Sequence, residues 1–341
     1  MGATLLAACG GGDDPANAGS GGSDDAGGTD QVTFLNIVPI ESLTYTPEMY
    51  AQCSGLFAEH GLDVSFQATQ GSAPALNTVI AGGALLTRVG DIEAVAAIGT
   101  QEAPLVNVGT AVKQGTIRIV STETAPLEEP ADFRGTIIGL PALGGGAENQ
   151  LDLMLTANGL AEGDVERQVT GLAPGVFDLV TSGRIDGYAV SLDTAVSLLA
   201  QQPEAVAMDP AEFISAGTQA YVTGEDQLAD PAQADQVDRY LEAIAEAMTF
   251  IAEDEVAGFA ETLDCITSEF EVPAAEDEAV ATEALAAYAD AWTADGPDQV
   301  LRTDPDRWVR GYEEMVQAGL VPGGLAAEEW LTDEFAPGDD E

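Results

Sequence analysis

Residues 62–98 read LDVSFQATQGSAPALNTVIAGGALLTRVGDIEAVAAI, and this stretch decides the fold class. Leu62–Gln67 reads as a short strand, Ser72–Ala81 as a helix and Ala84–Val89 as a second strand, with Asp91 placed to cap a helix through Ile98. The same units recur on either side. Upstream, Gln31–Ile40 is an apolar, β-branched run, and Pro47–His60 carries Met49, Cys53, Leu56 and Phe57 at the spacing of one helical face. Pro47 suits the first turn of that helix and Gly61 its stop. Downstream, strands are expected at Leu105–Val112, Thr116–Ser121, Thr136–Leu140, Val165–Val169 and Ile185–Val190. Helices are expected at Ala147–Asn158, opened by Gly144–Gly146, at Val176–Ser182, and from the cap Asp193 to Ala200. Repeated strand-helix-strand units predict an α/β protein with mostly parallel sheets and helices on both faces. After Ala220–Thr223 the pattern turns helical, at Val237–Ile251, Glu276–Trp292 and Trp308–Ala318. A helical C-terminal extension without a sheet of its own must pack back on the first lobe.

The length of 341 residues favours two medium domains, and 45% hydrophobic against 6% aromatic residues requires a core built mainly from Ala, Val, Leu and Ile. Asp plus Glu number 59 against 10 Lys plus Arg, a formal charge of -49, and Lys113 is the only lysine. Nucleic acid is excluded as a partner, because counterion release on a polyphosphate needs basic patches and the chain has none. The acids are spread along the chain rather than grouped in metal-loop spacing. Such a charge destabilises a compact state by self-repulsion unless concentrated salt screens it, and we read it as adaptation to a saline environment.

Leu6-Ala7-Ala8-Cys9 matches the bacterial lipobox, in which small residues precede a lipidated cysteine. The charged n-region and most of the h-region of a signal peptide do not precede it. Residues 10–30 are Gly, Ser, Asp and Ala with almost no apolar side chain, the composition of a flexible tether. A lipid-anchored body on the outer face of the cytoplasmic membrane is implied, with no later stretch apolar enough to span it. Two cysteines remain, Cys53 and Cys265. They fit either a disulfide or two separate buried thiols.

With these elements in place, the sequence resembles the substrate-binding family of ABC importers that includes the sulfonate, taurine, nitrate and thiamine-pyrimidine binding proteins. The resemblance is carried by Tyr50-Ala51-Gln52-Cys53-Ser54-Gly55-Leu56-Phe57-Ala58-Glu59-His60-Gly61-Leu62-Asp63-Val64. It continues in Ala131-Asp132-Phe133-Arg134-Gly135-Thr136-Ile137-Ile138-Gly139, in Asn158-Gly159-Leu160 and in Ser182-Gly183-Arg184-Ile185-Asp186-Gly187. Each motif alone is weak; their order and spacing are specific. The resemblance implies a two-lobed type II periplasmic-binding-protein fold. Residues 1–30 would be a truncated signal and tether, 31–114 plus 214–331 lobe one, 115–213 lobe two and 332–341 an acidic tail. It places Cys53 and Cys265 in one lobe, which favours the disulfide. It further implies a monomer that captures a small molecule between its lobes and hands it to membrane permease subunits, hinging near Lys113–Thr116 and Phe213–Gln219.

In open α/β sheets the crevice forms beyond the C-terminal strand ends, where helix N-termini present unpaired N–H groups. Lobe one then offers Glu41, Ser42, Thr44, Tyr45, Gly71, Ser72, Thr87, Arg88 and Asp91, and lobe two offers Gly144, Gly145, Gly146, Asp186, Tyr188 and Ser191. Arg88 is the candidate bidentate partner for a carboxylate or sulfonate, or else a surface arginine paired with Asp91 or Glu93. Tyr45 and Tyr188 suit an aromatic ligand or core packing alike. The triple glycine fits neither a dinucleotide fingerprint nor a Walker motif. These features point to a small organic anion or a heteroaromatic ring, with no cofactor and no metal.

Enzymatic readings lack their parts. Some relatives build the thiamine pyrimidine with histidine and pyridoxal-bearing lysine, whereas His60 is the single histidine here and lies at a helix end. Hydrolase triads and zinc sites need more than this chain holds. A tethered sensor domain is the alternative within the binding class. The charge makes a first prediction: raising salt from about 0.1 M to about 1 M shortens the Debye length from ~10 to ~3 Å. Thermal unfolding is therefore expected to move to higher temperature as salt is raised; an unchanged or falling midpoint contradicts salt adaptation.

Overall fold

The computed structural model of the chain describes residues 29–69, 71–326 and 329–336. The Cys9 lipobox, residues 10–28 of the tether and the acidic end at 338–341 lie outside them. The strands are β1 (Asp30–Asn36), β2 (Leu62–Ala68), β3 (Leu86–Gly90), β4 (Leu105–Val112), β5 (Ile117–Thr122), β6 (Ile137–Leu140), β7 (Glu166–Val169), β8 (Gly187–Ser191), β9 (Ala205–Met208) and β10 (Gln219–Gly224). The helices are α1 (Thr46–Cys53), α2 (Leu56–Glu59), α3 (Ser72–Ile80), α4 (Asp91–Gln101), α5 (Gly146–Ala157) and α6 (Phe177–Thr181). They continue with α7 (Leu192–Gln201), α8 (Glu225–Ala229), α9 (Pro231–Asp254), α10 (Ala260–Glu269), α11 (Glu278–Trp292) and α12 (Pro305–Gln317).

Two five-stranded sheets result, ordered β2-β1-β3-β10-β4 and β7-β6-β8-β5-β9. They are mixed rather than mostly parallel. β1 runs parallel to β2 and β3, and β6 parallel to β7 and β8. β10 is antiparallel to both β3 and β4, and β5 to both β8 and β9. The antiparallel strand of each sheet is the one that enters from the other lobe: β5 follows β4 after residues 113–116, and β10 follows β9 after residues 209–218. Strand β9, only Ala205–Met208, was not expected from the sequence.

The helix expected over Pro47–His60 is two helices. Gly55 adopts φ 89°, a left-handed conformation only glycine holds without strain, and the chain restarts there as α2. Cys53, at the end of α1, is joined by a disulfide to Cys265 on α10, Cα to Cα 5.7 Å. The helical extension packs on the first sheet: Tyr240, Leu241, Ile244 and Met248 of α9 share a core with Phe34 of β1 and Val108 of β4. A second cluster joins the lobes, running from Leu35 and Val89 through Ile92 of α4, Leu151 of α5 and Trp308 of α12 to Ile119 and Ile138 of the second sheet. The described part of the tail expected at 332–341 is anchored rather than free. Thr332 N donates to Asn107 O at 3.1 Å, Asp333 Oδ1 accepts from Thr303 N at 3.0 Å, and Ala336 is buried.

Inside lobe one Arg88 is only 1% exposed. Its Nε lies 3.5 Å from Glu48 Oε1, its Nη2 donates to Thr44 O at 2.5 Å, and its guanidinium carbon sits 4.5 Å from the Tyr45 ring centroid. Tyr221 donates its hydroxyl to Glu48 Oε1 at 2.7 Å. Burial pushes the Glu48 carboxyl upward, and the Arg88 charge opposes it. Removing one member of such a pair leaves the other charged and dry. Glu48→Ala is expected to cost about 3–5 kcal/mol of stability, read as a lower denaturant midpoint with an unchanged slope; a loss under about 1 kcal/mol contradicts the role assigned to the pair.

Candidate ligand-binding cleft

Between the two sheets lies a cavity of about 1020 Å³. Its walls are the loop after β1, the N-terminal ends of α3 and α4, the loop leading into α5, the end of β8 and residues 217–219. These are the places where parallel strands end and helices begin, as the topology dictates. Most of the lining is apolar, including Ile37, Leu76, Ile80, Ile92, Ile117 and Leu172. Among the described residues the wall contains no lysine, arginine or histidine. Its ionisable carboxylates are Glu41, Asp91, Glu93, Asp193 and Glu271.

Two side-chain hydrogen bonds span the cleft. Asn149 Nδ2 on α5 donates to Glu93 Oε1 on α4 at 2.9 Å, and Tyr288 on α11 donates its hydroxyl to Asp193 Oδ1 on α7 at 3.2 Å. Burial raises the Glu93 carboxyl, and the Asn149 bond opposes the rise. The two crossovers are held by groups of lobe one. Asp91 accepts from Gly217 N at 3.0 Å, from Thr218 N at 3.1 Å and from the Thr218 hydroxyl at 2.7 Å, as well as from Ile92 N at 2.8 Å. Burial still pushes its carboxyl upward. Arg307 of α12 ties both crossovers at once, donating to Lys113 O and, at 3.1 Å, to Ser215 O. Lys113 Nζ in turn donates to Gln299 O at 2.5 Å and Arg302 O at 2.7 Å.

Of the residues expected at a ligand site, the structure brings together on the wall Glu41, Ser42, Thr44, Tyr45, Gly71, Ser72, Asp91, Gly144, Gly145, Gly146 and Ser191. Tyr45 is almost wholly buried there, its hydroxyl accepting from Ile37 N at 2.9 Å, so lobe packing holds its ring. Four others lie elsewhere. Arg88 is consumed by Glu48 and Thr44, paired with neither Asp91 nor Glu93 and not facing the cleft. Thr87 is buried and donates to Leu35 O at 2.8 Å. Tyr188 is fully buried in the core of lobe two, where desolvation raises its hydroxyl to about 12. Asp186 accepts from Ile137 N at 2.8 Å on the far side of the sheet connection. All four sit on or before strands, and the alternation of side chains decides which face they take. Carboxylates of the protein lie against the glycines expected to bind an anion. Gly144 N donates to Glu148 Oε2, and a β-carbon at Gly146 would lie 3.3 Å from Glu93 Oε1.

Sequence reading missed Asn149, Gln150, Gln219, Glu271 and Tyr288, which also line the cavity. Asn149 and Gln150 lie within four residues of the triple glycine, at the start of the helix it opens, a signal that was available. Glu271 and Tyr288 come from the helical extension, and no local pattern marks them. No group of three or more His, Cys, Asp or Glu side chains among the described residues is arranged to hold a metal.

The fold and cleft define a two-lobed, periplasmic-binding-protein class of molecule. The sequence profile described as NMT1/THI5 like matches residues 43–256, more than half the chain, and the chain belongs to that family. No curated protein sequence matches it. Among solved structures it is similar to the alkanesulfonate-binding protein SsuA from Xanthomonas axonopodis pv. citri bound to MOPS, with TM-score 0.66 and 16% identity, covering 89% of this chain and 99% of that one. It is also similar to the periplasmic nitrate-binding protein NrtA from Synechocystis PCC 6803, with TM-score 0.62 and 15% identity, covering 90% and 86%. The desulfurization enzyme DSZB shares the fold more distantly, with TM-score 0.55 and 15% identity, covering 90% and 97%.

The Asp91 clasp yields a test of how the crossovers are held. Asp91→Ala strands the N–H groups of Gly217 and Thr218, at about 1–3 kcal/mol for each buried group left unpaired. The variant is expected to lose at least about 2 kcal/mol in denaturant unfolding, together with faster amide hydrogen exchange at Gly217 and Thr218; unchanged exchange there contradicts the clasp.

Proposed function

We propose that this chain is the extracytoplasmic solute-binding component of an ABC importer, tethered to the outer face of the cytoplasmic membrane through Cys9 and delivering a small molecule to permease subunits without chemistry upon it. The observation that carries this reading is a cavity large enough for an organic ligand, set between two lobes linked by two short crossovers. Lobe one would comprise residues 31–114 and 214–331, extended by the anchored segment to Ala336, and lobe two residues 115–213. In such an arrangement a ligand touching both walls favours the closed state over the open one, and closure presents a new surface to a membrane partner. The Glu93–Asn149 and Tyr288–Asp193 bonds are contacts that opening would break.

Family membership and the two binding-protein neighbours support a transport role, while the desulfurization enzyme among the neighbours shows that this fold also hosts catalysis. A binding role is favoured by a mostly apolar cleft of a size to enclose an organic molecule. In thermal-shift measurements in molar salt against a library of organic anions, amines and heteroaromatics, a ligand at a hundred times its Kd is expected to add about 2.7 kcal/mol. A flat response across the library, or turnover of any stabilising compound, overturns the reading.

A further inference from the structure

The cleft has the wrong charge for the anions that its fold neighbours bind. Every charged side chain on the described wall is a carboxylate, and Arg88, the arginine expected there, is sealed inside lobe one. At the start of α5, where an anion would seat, the Gly144 N–H meets Glu148 instead, and the Glu93 carboxylate lies close to Gly146. A sulfonate or nitrate entering here would find like charges and no countercharge, and like charges in a site of reduced dielectric repel by several kcal/mol.

Acceptor atoms on the wall are left open. Gln150 lines the cavity one residue beyond Asn149, is 3% exposed, and its Oε1 has no hydrogen-bond partner. Its amide nitrogen lies against Gly217, where a β-carbon would be 2.4 Å away, so the side chain is wedged beside the crossover that Asp91 clasps. Glu93 receives one side-chain hydrogen bond, from Asn149, which leaves further lone pairs on its carboxylate. Asp193 likewise receives one, from Tyr288. A buried acceptor without a donor is destabilising, and a ligand that brings N–H groups relieves it.

We infer that the cleft selects an organic cation, a protonated amine or amidinium carried on an apolar body, with Glu93 as its principal countercharge and Gln150 Oε1 as a hydrogen-bond acceptor. The apolar wall of Ile37, Leu76, Ile80, Ile92 and Leu172 takes the body, and the cavity of about 1020 Å³ is far larger than a nitrate needs. Because Glu93 belongs to one lobe and Gln150 to the other, a cation bound by both holds the cleft shut. This assignment rests on the solute-binding reading of the cleft and names its ligand class.

The test is isothermal titration of the full chain in molar salt with probes matched in shape and differing in charge: benzamidine and phenethylamine as cations, benzamide as the neutral form, and benzoate, benzenesulfonate and nitrate as anions. At least one cation is expected to bind tenfold or more tightly than every anion, and Glu93→Gln, which keeps the side chain's shape and its bond to Asn149, is expected to weaken that binding at least tenfold. Asp193→Asn provides a second shape-preserving variant, expected to weaken the same cation while sparing benzamide. An anion that binds as well as or better than both cations overturns the cation assignment and leaves solute binding standing, as does cation binding indifferent to both substitutions. Failure of all six probes to bind overturns the cation assignment; if the wider thermal-shift library also gives a flat response, the solute-binding reading falls with it.

Discussion

The double crossover governs this molecule. Each sheet is completed by a strand that arrives from the other lobe, β5 in the second and β10 in the first, and each lies antiparallel to both of its neighbours. β10 lies between β3 and β4, so the first sheet is not continuous until the chain has left, built most of the second lobe and returned. Two consequences follow from that one constraint. The chain passes between the lobes only at the crossovers, and the ends of the parallel strands from both sheets face each other across the gap.

A charged frame holds the crossover line. Asp91 satisfies the backbone of Gly217 and Thr218, Arg307 grips Lys113 and Ser215 by their carbonyls, and Lys113 is fixed to the loop before α12. In a chain with 10 basic residues, placing Lys113 and Arg307 at the crossovers and Arg88 in the core leaves few for other work. That scarcity explains the cleft. Where so many carboxylates compete, buried cations are drawn to sites that bind them by several oxygens at once, and the cavity wall keeps only acids and neutral groups.

Much of the architecture was legible in residues 31–200, because strand and helix periods alternate there and glycines mark the turns. Gly144–Gly146, Gly71 and Asp91 announced themselves as loop-to-helix junctions, and such junctions face the crevice in any sheet of this kind. Arg88 misled because a lone arginine at a strand end has the same local signature whether it faces a ligand or the interior. Glu48, 40 residues earlier in the chain, settled the matter, and nothing near Arg88 in sequence points to it. Glu93 was read only as a possible surface partner of that arginine, whereas across the cleft it meets Asn149.

The sequence by itself determined the class of fold, the helical extension and most of the loops that line the cleft, since these follow from local periodicity, composition and the placement of glycine. Tertiary structure decided the sign of the cleft, the antiparallel strands, the disulfide between Cys53 and Cys265 and the entry of Tyr288 and Glu271 into the wall. The reason is physical: periodicity is set by neighbours along the chain, whereas the charge and contacts of a cavity depend on which distant carboxylate reaches each cation first.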